Sequence, residues 1–152
     1  MATFTSAQFG NLIMAPHSAG VVYVSDDIVT VTTALTADDI LKVGYLPAGC
    51  VPIDVIVIAD EIDSHGTDTL AMEVGLLNDD EDDIITAASF VAAAQADTAP
   101  TVTRAAAIGM VGIAPDEDDD RILAVKITTE AATAVAGDVR VIMTYRASNY
   151  GA

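Results

Sequence analysis

Three stretches of this chain carry apolar side chains with a period of two, over lengths that suit a β-strand and not a helix. Successive side chains of a strand point to opposite faces, so such alternation sorts residues into an inside and an outside. In "VPIDVIVIAD" (51–60), Val51, Ile53, Val55 and Val57 share one face, and Asp54, Ile56 and Ile58 take the other. Because that second face is also mostly apolar, the strand is expected to be covered on both sides. "TLAMEVGLL" (69–77) sets Leu70, Met72, Val74 and Leu76 together, with Glu73 opposite. In "DVRVIMTYR" (138–146), Val139, Val141, Met143 and Tyr145 point inward and Arg140, Ile142, Thr144 and Arg146 outward.

The rest of the chain reads in the same way. "GVVYVS" (20–25) and "IVTVTTAL" (28–35) are rich in β-branched residues and flank a turn-like Asp26-Asp27. "DDILKVGYL" (38–46) closes at Pro47-Ala48-Gly49, "TVTRAAAIGMVGI" (101–113) suggests one or two short strands, and "RILAVKITT" (121–129) another. One segment differs. In "DIITAASFVAAAQA" (83–96), Ile84, Ala88, Val91 and Gln95 recur at helical spacing, alanine dominates, and Asp82 or Asp83 stands where an N-cap belongs. Eight or nine short strands and one helix predict a mainly β fold: an antiparallel β-sandwich or jelly roll with one short helix and an extended N-terminal arm. The arm is residues 1–19, and residues 20–152 form a single β-sandwich domain. With 52% apolar residues, many of them Ala and Val, and no Trp, the core is expected to be built from small side chains.

Charge narrows the function. The formal net charge is −17, from 23 acidic and 6 basic residues. A polyanion is repelled by nucleic acid and by anionic lipid, so neither is an expected partner. No stretch approaches the roughly 18 apolar residues of a membrane span, and the N-terminus lacks the basic region of a signal peptide. A soluble protein made in the cytoplasm is expected.

Two acidic runs stand out, "NDDEDD" (78–83) and "PDEDDDR" (115–121). Neither has the glycine and distal glutamate of a calcium-binding EF-hand loop. Charge runs of this kind belong on solvated loops, with the first run also available to cap the expected helix. Only His17 and His65 could serve as imidazole ligands, and His65 sits in a turn-like "DSHGTD". Cys50 is the sole cysteine, with no basic neighbour in sequence to activate it, and reads as a buried structural thiol. There is no G-x-S-x-G elbow, and seven aromatic residues are too few for the platforms of a sugar-cleaving cleft. The C-terminal "YRASNYGA" does not match the Arg- and Phe-bearing segment of the dUTP pyrophosphatases, which are jelly rolls of similar length. The expectation is a protein with no enzymatic activity, no cofactor and no metal.

The stretch "LKVGYLPAGCVPIDVIVIADEIDSHGTDTLAMEVGLLND" (41–79), followed in order by "IITAASFVAAAQ" and "ILAVKITTEAATAVAGDVRVIMTYR", resembles tailed-bacteriophage virion proteins over roughly residues 40–146. The likeness lies in the order of elements. It is to capsid decoration (cement) or related head structural proteins, and it implies a non-catalytic subunit. Such a subunit sits on the outer surface of the virion, is often a homotrimer, and has the major capsid protein as its partner. A tail-tube protein, or a carbohydrate- or receptor-binding virion module, are the alternatives. The first sixteen residues are expected to leave the sandwich and grip a neighbouring copy or the capsid through Phe4, Phe9, Leu12 and Met14. Lys126, Arg140 and Arg146 share an outward register and are expected to face a partner's acids, unless they snorkel over their own sheet.

Overall fold

Runs of Val, Ile and Thr favour the extended backbone because branching at Cβ restricts the side chain and packs well on a pleated surface. The computed structural model describes residues 2–6, 9, 21–95, 100–105, 110 and 113–148, with the backbone alone at 92–95. Its strands are β1 (Thr3–Thr5), β2 (Val22–Val31), β3 (Ile40–Leu46), β4 (Cys50–Ala59), β5 (Ala71–Leu77), β6 (Ile84–Gln95), β7 (Thr101–Arg104), β8 (Arg121–Thr129) and β9 (Gly137–Ala147). They form two sheets, ordered β1-β3-β8-β5-β6 and β2-β9-β4-β7. From β2 onward, each connection crosses from one sheet to the other except the β5–β6 hairpin. That is the jelly-roll order, two four-stranded antiparallel layers, with β1 added in parallel beside β3.

The inward alternation holds in β5 and β9 and, in β4, from Val55 onward, whereas Val51 and Ile53 fall on the face opposite Val55 and Val57. Val29, Val31, Val55, Val57, Val139, Val141 and Met143 of the second sheet meet Leu41, Val43, Met72, Val74, Leu76, Leu123, Val125 and Ile127 of the first. A smaller cluster of Ile40, Leu77, Ile84 and Ala124 lies on the opposite face of the first sheet. The thiol of Cys50 is buried in the main core, and burial pushes its pKa up, as suits an inert structural residue.

Three expectations about local structure are overturned. The segment expected to be helical is strand β6, paired along its length with β5. Its Ala-rich spacing yields to hairpin pairing against a buried strand, and three register shifts absorb the misfit. The expected cap chemistry closes a turn instead: Asn78 Oδ1 accepts from the amides of Asp82 (3.0 Å) and Asp83 (3.2 Å), and Asp83 Oδ1 from that of Ile84 (2.8 Å). Gly75 permits the crossing, since a Cβ there would stand 2.5 Å from Ile84 Cγ2 and closer still to the Ala88 carbonyl oxygen.

The expected turn at Asp26-Asp27 is the middle of continuous strand β2. Asp26 points outward to Arg140, while Asp27 points inward, over Gly44 and against the Ser25 hydroxyl, so neither acid breaks the strand. Strand β4 is not covered on both sides either. An irregularity between Pro52 and Asp54 turns Ile53 outward to 41% exposure, and Ile56 and Ile58 are only half-buried.

Candidate functional site

Among the described residues no group of His, Cys, Asp and Glu has the arrangement to hold a metal ion, and no helix is long and apolar enough to cross a membrane. The features that could meet a partner are therefore surfaces: the arm, the acidic loops and the outer faces of the two sheets.

The start of the arm packs in cis. β1 pairs in parallel with β3, with Phe4 opposite Leu41 and half-buried against the main core. Asp39, itself buried, accepts from the amides of Ala2 (2.6 Å) and Thr36 (2.9 Å). Burial works to raise its pKa, but these donors outweigh it and hold the carboxyl below its usual range. Ser6 donates through its hydroxyl to the Val43 carbonyl at 2.7 Å, and Phe9 stacks on Tyr45 with ring centroids 4.7 Å apart. The expectation that residues 1–16 leave the sandwich thus fails at 2–6 and 9, because a free edge of β3 and the Tyr45 ring are within reach. Leu12 and Met14 lie outside the described residues.

The three expected cations are split between opposite faces. Lys126 stands on the outer face of the first sheet, 2.9 Å from Asp83 and 3.2 Å from Asp38. Lys42, on the same face, pairs with Glu81. The chain's two lysines thus pull the first acidic run back over the sheet. Their side chains are 14% exposed, so the stems lie along the surface as snorkelling predicts. Hydrogen bonding from Lys126, then from the Ile84 amide, holds the Asp83 carboxyl below its ordinary range. Arg140 and Arg146 stand instead on the outer face of the second sheet. Arg140 grips Asp26 bidentately, with Nε at 2.6 Å from Oδ1.

The second acidic run is a loop before β8. Asp116 Oδ1 accepts from the amides of Asp118 (3.1 Å) and Asp119 (3.2 Å), and Asp120 Oδ1 from that of Ala48 (2.8 Å). Arg121 ties the loop down through the carbonyls of Ala114 (3.0 Å) and Cys50 (3.2 Å). Both runs are on loops, as expected, and they converge. Asn78, Asp79 and Glu81 face Asp116, Asp119 and Asp120 across a shallow cleft of about 140 Å³. One end of the barrel is therefore strongly anionic.

The opposite end holds the residue that sequence reasoning missed. Asp63 is fully buried and accepts from five backbone amides: Thr69 (2.9 Å), Leu70 (3.3 Å), Ala132 (3.0 Å), Thr133 (2.9 Å) and His65 (3.3 Å). Burial opposes the charge, yet these donors outweigh it and keep the carboxylate far below its normal pKa. His65 itself is exposed and accepts at Nδ1 from the Thr67 amide at 3.1 Å, a turn residue as expected.

No protein-family model matches the chain, and no curated protein matches it. Solved structures do. A chain from the capsid of Ralstonia phage GP4 superposes with a TM-score of 0.82 at 28% identity, over 98% of this chain and 100% of that one. A chain from the capsid asymmetric unit of cyanophage Pam1 gives a TM-score of 0.62 at 25% identity, over 90% and 92%. By structure, this chain is related to phage capsid proteins. The resemblance carried by residues 40–146 extends, in three dimensions, to nearly the whole chain.

Proposed function

We propose that this chain is a capsid decoration (cement) protein: it binds the major capsid protein on the outer surface of a tailed-phage head, associates with itself as a homotrimer, and reinforces the shell without catalysis or cofactor. The observation that carries this reading is reciprocal coverage. A chain found in a phage capsid matches this one over 98% of this chain's length and 100% of its own. The jelly roll supports it physically, because two packed antiparallel sheets around one apolar core make a rigid block suited to tiling. The anionic end fits poorly to nucleic acid or to lipid, which argues for a position away from the packaged genome.

The test is reconstitution. Capsids lacking the protein, mixed with the purified full chain, should bind it at regular positions on the outer shell and release their DNA at a higher temperature. Labelling confined to the tail would replace this reading with a tail-tube role. Binding to host glycans without binding to capsids would replace it with a receptor-binding one.

A further inference from the structure

The outer face of the second sheet has an unusual composition. Its outward positions are Val22, Val24, Asp26, Ile28 and Thr30 on β2, and Asp138, Arg140, Ile142, Thr144 and Arg146 on β9. β4 adds Asp54, Ile56 and Ile58, and β7 adds Val102 and Arg104. Val22, Val24, Ile28 and Val102 are 51%, 62%, 43% and 69% exposed. Of the eight large exposed apolar residues among those described, six lie in this sheet or directly beside its strands: these four with Val21 and Ile53. A sheet face that simply meets water would alternate to polar side chains.

Its charge is as informative. Three arginines stand against three aspartates, and two of each are already joined, Arg140 to Asp26 and Arg104 to Asp54 (Nε–Oδ1 2.9 Å). The face is formally neutral, so the whole net charge of −17 lies elsewhere on the chain. A basic partner would gain by meeting the anionic loops. A second copy of the same polyanion is repelled everywhere except where the chain carries no net charge.

We propose that this face, β2-β9-β4-β7, is where one copy of the chain meets another. The inference rests on the self-association in the function proposed above and names the surface responsible. Two ten-residue strands, one of eleven and a short fourth span roughly 14 Å by 33 Å. In projection that is on the order of 450 Å², roughly half of the ~600–1,000 Å² that each partner gives to a stable interface, with the flanking loops left to supply the rest. The two ion pairs neutralise aspartates that would otherwise repel across the contact.

The experiment is sedimentation equilibrium of the purified full chain at several salt concentrations. The variants are the double substitution Val24→Asp with Val102→Asp, and the control Ile85→Asp, an exposed apolar position on the other sheet. The native chain should form a discrete oligomer whose association tightens as salt rises, because screening relieves repulsion between anionic bodies while leaving the neutral contact intact. The double variant should weaken association at least about 100-fold with circular dichroism unchanged, and the control should match the native chain. A native chain that is monomeric overturns the inference. So does a double variant that associates as the native chain does, a control that dissociates equally, or association that weakens with salt. Capsid binding by the same proteins is read separately. Oligomers assembled through this face that ignore capsids would sink the decoration reading alone, and capsid binding by a monomeric native chain would sink this inference alone.

Discussion

Replacing Asp63 by Ala removes the acceptor for five backbone amides, that of Leu70 in a buried bond and the other four in partly buried ones. Two of these bonds, at 3.3 Å, are long and weak, whereas the three from Thr69, Ala132 and Thr133 lie at 2.9–3.0 Å. An orphaned buried donor costs about 1–3 kcal/mol, and relaxation of the two loops recovers part of it, so the expected loss is about 3–5 kcal/mol. Against a domain stability of roughly 5–15 kcal/mol that is a large fraction. For a chain of this size it corresponds to a melting temperature lower by on the order of 10 °C. Asp63→Asn should be nearly as damaging, since one of the two accepting oxygens becomes a donor facing other donors.

The pH dependence gives a second readout. A carboxyl whose folded pKa is depressed contributes stability that is fully present above its unfolded value of 3.8 and is lost as pH falls towards the folded value. The gap between native and Asp63→Ala proteins should therefore be constant from pH 5 to 8 and shrink below about pH 4. Urea unfolding at pH 7 and again below about pH 4 tests this. A loss under 1 kcal/mol at pH 7, or a gap unchanged in acid, would refute the view that a charged Asp63 pins these loops.

Asp27 should behave in the opposite sense: burial raises its pKa, so folding disfavours its charge, and the penalty grows as pH rises through 3.8. Asp27→Asn should raise the melting temperature at pH 7 and leave it unchanged near pH 3. Gly75→Ala should cost about 1–3 kcal/mol, because the new methyl meets the β6 backbone at the hairpin crossing, and chemical denaturation will report it. Lys126→Met should cost no more than about 1 kcal/mol, with the difference fading at high salt, since its carboxylate partners are exposed. Deleting residues 2–6 should lower the melting temperature of the isolated protein, because β1 is held by β3 and Asp39; an arm used only in assembly would leave it untouched.

The strands legible in sequence are those whose alternation is set by burial on one face. In β5 and β9 the inward sets Met72, Val74, Leu76 and Val139, Val141, Met143, Tyr145 fall as the period of two requires. Where the pattern misled, a tertiary partner supplied what local preference could not. The Ala-rich stretch after Asp83 has a helical period of its own, yet isolated short helices are marginal in water. Pairing with β5 satisfies the same backbone groups while burying Ile84, Phe90 and Val91. Asp26-Asp27 looks like a turn until Arg140, more than a hundred residues away, is set beside Asp26.

The acidic residues show most clearly why composition and role separate. The dense runs are solvated loops, in which carboxylates such as Asp83 and Asp116 accept from neighbouring amides and, in the first run, Glu81 and Asp83 pair with the two lysines. Asp63 sits in "ADEIDSHGTD", where Asp60, Glu61 and Asp68 are equally acidic and nothing in residue type sets it apart. Its partners are main-chain amides, which every residue but proline carries, and two of them lie about seventy residues downstream. A side chain recognised only by backbone donors leaves no trace in residue types at any spacing. The one available signal was negative: an acid next to Ile62 in a region about to be buried, with no cation near it in sequence. In an anionic chain such an acid can be tolerated inside only if amide dipoles replace the missing cations, and the two loops that close this end of the barrel supply them.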